Sequence, residues 1–250
     1  MLQLLKQPAA GQTDPDDNDS VLKALVGVIR QMGLYATIGL TGAVITAKLF
    51  EELAEGIFKK ESEALDHRFS LWVHSLANPV LDKIFKFFST IGSIASVVGL
   101  TVLSFWILVK RHHPHAAWLL AMATGGGLIL NQILKFFFRR PRPQFLTNRE
   151  PHLKTFSFPS GHATVSFCFC GGFAWLGYKF LKSPVIMAAW LGSMLVCVFM
   201  VGLSRVYRGA HYLTDVVGGY ISGSFWLALL LSGVSIFDRL HPRKARQSKS

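Results

Sequence analysis

The fold is decided by the stretch VVGGYISGSFWLALLLSGVSIF, Val216–Phe237, which contains no charged side chain. A helix of about 20 apolar residues is long enough to cross the hydrocarbon core of a bilayer. Five further uncharged runs have a similar length, namely Gln31–Ala47, Thr90–Val109, Ala116–Leu134, Ala163–Tyr178 and Pro184–Leu203. The sequence therefore predicts an all-α, polytopic membrane protein with six transmembrane helices.

The composition of the whole chain agrees with this prediction. Of its 250 residues 51% are apolar and only 16% are charged, and the mean hydropathy is +0.38. These values argue against a disordered chain and against a soluble domain, whose apolar residues form short amphipathic stripes. The net charge of +12 would suit a nucleic-acid-binding protein if the cations lined one soluble face. They lie instead in short tracts between the apolar runs, so we expect no nucleic-acid partner.

The apolar runs divide the chain into three parts. We predict an N-terminal tail over residues 1–30, a transmembrane domain over residues 31–237 and a basic tail over residues 238–250. Within the domain, the segment 49–88 mixes charged and apolar residues at helical spacing and includes Trp72. Aromatic side chains are enriched at membrane surfaces. This segment therefore predicts one or two interfacial helices between spans one and two.

The positions of the cations predict the orientation. Lys and Arg accumulate in cytoplasmic loops, and they occur before span one, after spans two and four and in the C-terminal tail. The residues are Lys23, Arg30, Lys110, Arg111, Lys179, Lys182 and the cations beyond residue 238. We therefore expect an inner (plasma) membrane protein with both termini in the cytoplasm. The loop 135–162 is strongly basic on the opposite side, which indicates an anionic ligand.

Three clusters of ionisable residues lie at the outer ends of the predicted helices. In the first, six residues separate Lys135 from Arg142-Pro143, a pattern that fits an anion site and equally a row of snorkelling cations. In the second, Ser160-Gly161-His162 begins span four. Ser160 is suited to a helix N-cap, and the exposed N–H groups of a helix start favour phosphate binding. A purely structural helix start would leave His162 unexplained.

The third cluster joins Ser204-Arg205 to His211 and Asp215. Residues four apart share one face of a helix, so Asp215 can take the Nδ1 proton of His211 and leave Nε2 free as a nucleophile. An Asp at a helix start also simply favours the helix dipole. Acids are rare in this half of the chain, and an acid at the end of a membrane helix more often has a functional role.

In order and spacing, the three clusters resemble the signature of the type 2 phosphatidic acid phosphatase superfamily, which includes lipid phosphate phosphatases, glucose-6-phosphatase and vanadium haloperoxidases. The resemblance implies that His211 forms a phosphohistidine, that Asp215 holds its imidazole and that His162 protonates the leaving alkoxide. It further implies that the phosphoryl oxygens are bound by Lys135, Arg142, Ser160, Gly161 and Arg205. The catalytic part of the transmembrane domain would then be residues 135–215.

The resemblance leads us to expect a phosphatase that acts on a lipid phosphate at the outer face of the membrane. Phosphatidic acid, phosphatidylglycerophosphate and undecaprenyl pyrophosphate are the candidate substrates, and the other expected partners are membrane lipids. A lateral route under the segment 49–88 would admit the lipid. A glucose-6-phosphatase-like enzyme on a soluble ester, a haloperoxidase and a non-enzymatic anion transporter are the alternatives.

We expect neither a metal nor a cofactor. Charge develops on the equatorial oxygens of a phosphoryl transition state, and three cations with backbone N–H groups can stabilise it. Asp215 is the only acid within the three clusters, so they contain no carboxylate set for a metal ion.

Overall fold

The computed structural model describes Val26, Gly27 and residues 33–144 and 155–240. Within these residues the chain forms eight α-helices and no strand, which confirms the all-α class. The helices are α1 (Leu34–Phe58), α2 (Glu63–Ser75), α3 (Pro79–Ile91), α4 (Ile94–Lys110), α5 (Pro114–Phe138), α6 (Gly161–Phe180), α7 (Pro184–Tyr207) and α8 (Leu213–Leu240). The predicted N-terminal tail, apart from Val26 and Gly27, and the C-terminal tail beyond α8 lie outside the described residues.

Several helices are long and apolar enough to cross a membrane. By length and composition these are α5, α7 and the part of α8 from Leu213 to Phe237. Helices α3 and α4 meet the same criterion together but are bent by 53°, so the described residues hold three such spans, or four if the bent pair counts as one. Large apolar side chains on α7, such as Val185 and Leu195, are exposed, as expected for helices that face lipid. The chain is a multi-pass membrane protein, and the number of six spans stays a prediction.

The structure corrects two predicted boundaries. The first span was expected to end at Ala47, but α1 continues to Phe58, so residues 49–58 belong to this helix and not to a separate interfacial helix. Ion pairs one helical turn apart, including Lys48 with Glu51 at 2.7 Å, are compatible with a continuous helix. The second span was expected from Thr90, but α4 begins only after Ser93, whose hydroxyl accepts the Ser96 N–H.

Helices α2 and α3 lie in the segment for which the sequence predicted interfacial helices, and their position relative to the membrane stays a prediction. Both expose large apolar side chains, among them Trp72 on α2 and Phe87 on α3. On their inner side, Val73 and Phe85 belong to one buried apolar cluster together with Val206, Tyr207, Ala163 and Val216. This cluster joins α2 and α3 to the ends of α6, α7 and α8, which is the end of the bundle where the three sequence clusters lie.

Two adjacent glycines in α8 allow the start of this helix to lie close to the start of α6. A Cβ atom at Gly219 would lie 2.9 Å from the Ser160 carbonyl oxygen and 2.8 Å from the Ala163 Cβ, and one at Gly218 would lie 2.4 Å from the Phe158 ring. Only a residue without a side chain permits such an approach. The start of α8 therefore packs directly on the start of α6, which brings the second and third clusters together.

Candidate active site

The candidate site lies where the ends of four helices meet. Lys135 is in the last turn of α5, and the C-cap residue of α5 is Arg139, which adopts the left-handed conformation with φ 44°. The chain then continues through Arg140 and Arg142 without helical structure, because prolines at 141 and 143 cannot continue a helix. Arg205 comes from the end of α7, and His211 lies in the turn between α7 and α8.

His211 is almost completely buried, with 2% of its surface exposed. Its Nε2 atom lies 3.2 Å from Nη1 of Arg142. Because a guanidinium can only donate, Nε2 must accept this hydrogen bond with its lone pair, and the ring proton is then on Nδ1. Burial, followed by the charges of Arg142, Arg205 and Lys135, lowers the pKa of His211 well below its ordinary value near 6.5. The imidazole is therefore neutral at pH 7, as a nucleophile must be.

Three cations surround His211 and are fixed by oxygen atoms of neighbouring segments. Arg142 donates through Nη1 to the Ala210 carbonyl oxygen at 2.6 Å and through Nε to that of Thr155 at 2.8 Å. Lys135 Nζ donates to the Phe156 carbonyl oxygen. Arg205 has no exposed surface, and its Nη1 donates to Ser89 Oγ at the end of α3. This arrangement concentrates positive charge around one imidazole, as a site for an anion requires.

The start of α6 provides a free hydroxyl. Ser160 is the N-cap residue of α6, as predicted, but its side chain makes no capping hydrogen bond. The hydroxyl is buried and has no partner among the described residues, while the Ser160 N–H donates to the Asp215 carbonyl oxygen at 2.9 Å. Gly161 and half-buried His162 are the first two residues of the helix. The cap hydroxyl is thus available to a ligand, because it is not used to satisfy the helix.

Asp215 lies beside His211, as the four-residue spacing predicted. Its Oδ2 atom is 3.4 Å from His211 Nδ1 and accepts the Tyr212 N–H at 2.9 Å. The distance to Nδ1 is longer than a good hydrogen bond, and no hydrogen bond to Nδ1 forms within the described residues. Catalytic hydrogen bonds are often long in the absence of substrate.

Two residues of the site were missed by the sequence prediction. Arg140 donates through Nη1 to Asp215 Oδ1 at 2.6 Å and through Nη2 to Asp66 Oδ2 at 2.8 Å. Burial tends to lower the pKa of Arg140, but the carboxylates of Asp215 and Asp66 raise it above its ordinary value. Arg140 stands two residues before Arg142 and could have been included in the first cluster. Asp66 lies in α2, far from the three clusters in the sequence, so no residue spacing indicated that it belongs to the site.

Hydrogen bonds tie the two flanks of the segment 145–154 to each other. The Ser157 N–H donates to the Arg140 carbonyl oxygen at 2.8 Å, and the Ser157 hydroxyl donates to that of Pro141 at 2.9 Å. Arg142 Nη2 also donates to Thr155 Oγ1 at 2.9 Å. The segment itself lies outside the described residues, but its ends are fixed beside the site.

Among residues 33–144 and 155–240, no three His, Cys, Asp or Glu side chains are grouped so that they could hold a metal ion. The two acids at the site, Asp66 and Asp215, both contact Arg140.

The three clusters therefore meet around one buried histidine, and comparison with known proteins gives the family. The model of the PAP2 superfamily matches residues 115–237, a range that contains all eight predicted site residues. In these residues the chain is of the PAP2 type. This confirms the resemblance to the type 2 phosphatidic acid phosphatases, and it identifies α5 to α8 as the part of the chain that carries the family features.

Individual PAP2 proteins are similar over most of the chain. Phosphatidylglycerophosphatase B of Bacillus subtilis is 28% identical over 68% of this chain and 84% of its own length. An undecaprenyl-diphosphatase of the same organism is 27% identical over 60% of this chain and 74% of its own length. The crystal structure of a transmembrane PAP2-type phosphatidylglycerolphosphate phosphatase from Bacillus subtilis has a TM-score of 0.66 and 25% identity, and covers 82% of this chain and 98% of that one. These relatives are membrane phosphatases of lipid phosphates.

Proposed function

We propose that this PAP2 protein hydrolyses a lipid phosphate through a phosphohistidine formed on His211. The observation that carries the proposal is a buried, neutral imidazole whose Nε2 atom accepts a hydrogen bond from Arg142 at 3.2 Å. A phosphoryl group that binds to Lys135, Arg142 and Arg205 would displace this contact and place phosphorus next to Nε2. The family resemblance and the lipid phosphatases among the relatives support the same reaction.

In the first step, Nε2 forms a bond to phosphorus and the bond to the ester oxygen breaks. The leaving alkoxide takes a proton from His162, which is the second residue of α6. A water molecule then attacks phosphorus and returns a proton to His162, so that inorganic phosphate and neutral His211 are released. Asp215 stabilises the positive charge that the imidazole gains in each step.

The charge of the phosphoryl group is balanced by the protein itself in this proposal. Three cations and the N–H groups at the start of α6 face the developing charge on the equatorial oxygens. The free hydroxyl of Ser160 adds a donor that costs no existing hydrogen bond. We therefore propose that the enzyme works without a metal or a cofactor.

An apolar cavity favours a lipid over a soluble phosphate ester. The cavity has a volume of about 350 Å³ and lies between α4, α6 and α7, with Val97, Leu100 and Ser104 on the α4 side. Ile91 and Val201 also line it. Val201 is one helical turn before Arg205, and Ile91 is two residues after Ser89, the hydrogen-bond partner of Arg205. We propose that an acyl chain occupies this cavity while the phosphate reaches the three cations.

Filling the cavity is expected to select against long acyl chains. Ser104→Trp places an indole in the cavity, so KM for dioleoyl phosphatidic acid should rise at least about tenfold, because each buried CH₂ contributes about 0.8 kcal/mol. KM for the dibutyryl analogue should change by less than about twofold, since its chains are too short to reach the indole. The measurement is phosphate release by purified protein in detergent with EDTA present.

Val102→Trp is the matched control, because Val102 is 64% exposed on the same helix and does not line the cavity. Glucose-6-phosphate is included as the soluble substrate, and we expect negligible release from it. Faster hydrolysis of glucose-6-phosphate than of the lipids would favour the soluble-ester alternative. An equal effect of Ser104→Trp on KM for both lipids would contradict the role of the cavity but not the proposed reaction.

We also propose that the site faces the outside of the inner membrane, with both termini in the cytoplasm. Single cysteines at Thr147 and Ser248, in a chain lacking Cys168, Cys170 and Cys197, test this orientation. An impermeant thiol reagent applied to intact cells should label the cysteine at 147 and not the one at 248, because the first belongs to the basic loop of the site and the second to the basic tail. The opposite labelling pattern would reverse the topology.

A further inference from the structure

Asp66 is a fully buried acid of an interfacial helix, and its carboxylate is directed into the bundle. Its Oδ1 atom accepts the Thr214 N–H at 3.0 Å. Its Oδ2 atom accepts the Thr214 hydroxyl at 2.6 Å and Arg140 Nη2 at 2.8 Å. A buried carboxylate is costly unless it is fully bonded, and a surface helix could be attached to the bundle by apolar contacts such as those of Val73.

Arg140 connects Asp66 with the catalytic part of the site. Its Nη1 atom donates to Asp215 Oδ1 at 2.6 Å and to Thr214 Oγ1 at 2.8 Å, while Nη2 bonds Asp66. The guanidinium also stacks on the Tyr212 ring, with its carbon 4.2 Å from the ring centre. Partners from α2, the turn before α8 and α8 itself thus fix the orientation of this one side chain.

The hydrogen bond from Arg140 is made to the carboxylate oxygen of Asp215 that is farther from the His211 contact. Arg140 holds Oδ1, which leaves Oδ2 directed at His211 Nδ1 at 3.4 Å. Two carboxylates share a single guanidinium, so Asp66, Arg140 and Asp215 together carry one net negative charge. Without Asp66 the remaining pair would be neutral, and His211 would face three cations with no net negative charge behind it.

We propose that Asp66 is a positioning residue for catalysis, which acts through Arg140 to orient Asp215 and to preserve its negative charge beside His211. The inference rests on the proposed function, since it assigns Asp66 to the same phosphohistidine reaction. The imidazole gains positive charge only when phosphorus binds to Nε2. The contribution of Asp66 is therefore made in the transition state and is small in the substrate complex.

The proposal makes the interfacial helix α2 a part of the catalytic apparatus. Leu65, next to Asp66 in the chain, is 57% exposed, and Trp72 on the same helix is 58% exposed. One face of α2 thus offers apolar side chains to the membrane surface, and the other supplies the partner of Arg140. The position of the helix in the bilayer is thereby linked to the orientation of Asp215.

The test is Asp66→Asn, which keeps the size of the side chain and removes its charge. We expect kcat for a lipid phosphate to fall about 10- to 100-fold, the range for a displaced catalytic group, with KM changed less than about threefold. In an Asp215→Asn background the same substitution should change kcat by less than about threefold, because the group through which Asp66 acts has lost its charge. A purely structural Asp66 would cost the same in both backgrounds.

Asp82→Asn is the matched control, since Asp82 is an acid of the other interfacial helix and accepts the Tyr207 hydroxyl at 2.7 Å. We expect it to leave kcat within about threefold, as for a substitution away from the reacting groups. If Asp66→Asn fails to fold, Thr214→Val replaces it, because it removes the hydroxyl that bonds both Asp66 and Arg140 without burying a new charge. An unchanged kcat, a loss confined to KM or additive losses in the two backgrounds would overturn the proposal. A wild-type protein with no phosphatase activity would instead overturn the proposed function.

Discussion

Replacing His211 by Ala is expected to abolish turnover and to leave the fold intact. The substitution removes the only atom that can bond to phosphorus in the proposed reaction, so kcat should fall by at least about 10⁴-fold, as in other enzymes that lose their nucleophile. Labelled phosphate from the substrate should then no longer be trapped on the protein. A phosphohistidine is stable in alkali, so the trapped species is measured after an alkaline quench.

His115→Ala provides the comparison for His211→Ala, because His115 is an exposed histidine in the first turn of α5. It should keep wild-type turnover and the trapped phosphoenzyme. If His211→Ala still forms a phosphohistidine, the nucleophile is another histidine and the proposed mechanism is wrong. The depressed pKa of His211 adds a further constraint: its protonation should reduce kcat/KM only well below pH 6.5.

The second large effect is expected at Arg205. Arg205→Lys keeps the charge but removes the planar fork that can hold both Ser89 and a phosphoryl oxygen. We expect kcat/KM for a lipid phosphate to fall about 10²- to 10³-fold, the range for the loss of one donor to a transition-state oxyanion. The Ki of vanadate, which mimics that transition state, should rise in parallel.

Two variants separate the direct effect of Arg205 from its surroundings. Arg111→Lys changes an exposed arginine at the end of α4 and should leave kcat/KM within about twofold, as for a surface site. Ser89→Ala removes the hydrogen-bond partner of Arg205 but keeps the guanidinium, so its loss should be clearly smaller. Equal losses in Arg205→Lys and Ser89→Ala would show that Arg205 only attaches α3 to α7.

Local spacing allowed much of the candidate site to be predicted from the sequence. His211 lies in the turn directly before α8, Asp215 lies in the first turn of α8 and Ser160 is the N-cap of α6, so closeness in sequence was enough to predict these positions. The pairing of Arg140 with Asp66 could not be predicted in this way. It joins a surface helix to a loop far along the chain, and it depends on how α2 packs on α7 and α8.

The part of the fold that could be predicted is the part in which an apolar run marks a helix. The uncharged runs located α4 to α8, but hydropathy did not show where a helix bends or how far it continues past an uncharged run. The run from Thr90 to Val109 is uncharged throughout, yet the chain bends near Gly92 and Ser93. The charged residues after Ala47 mark a change of environment and not the end of α1.

The hydrogen bonds between the two flanks of the segment 145–154 bear on how far the length of this segment can vary in the enzyme. The bonds between Arg142 and Thr155 and between Ser157 and the chain at residues 140–141 fix both ends of the segment whatever its length. Lengthening a loop whose ends are already held costs little free energy, about 0.6 kcal/mol for each doubling. Insertions or deletions between residues 145 and 154 should therefore leave Arg140 and Arg142 in their places. The segment is where we would install an affinity tag.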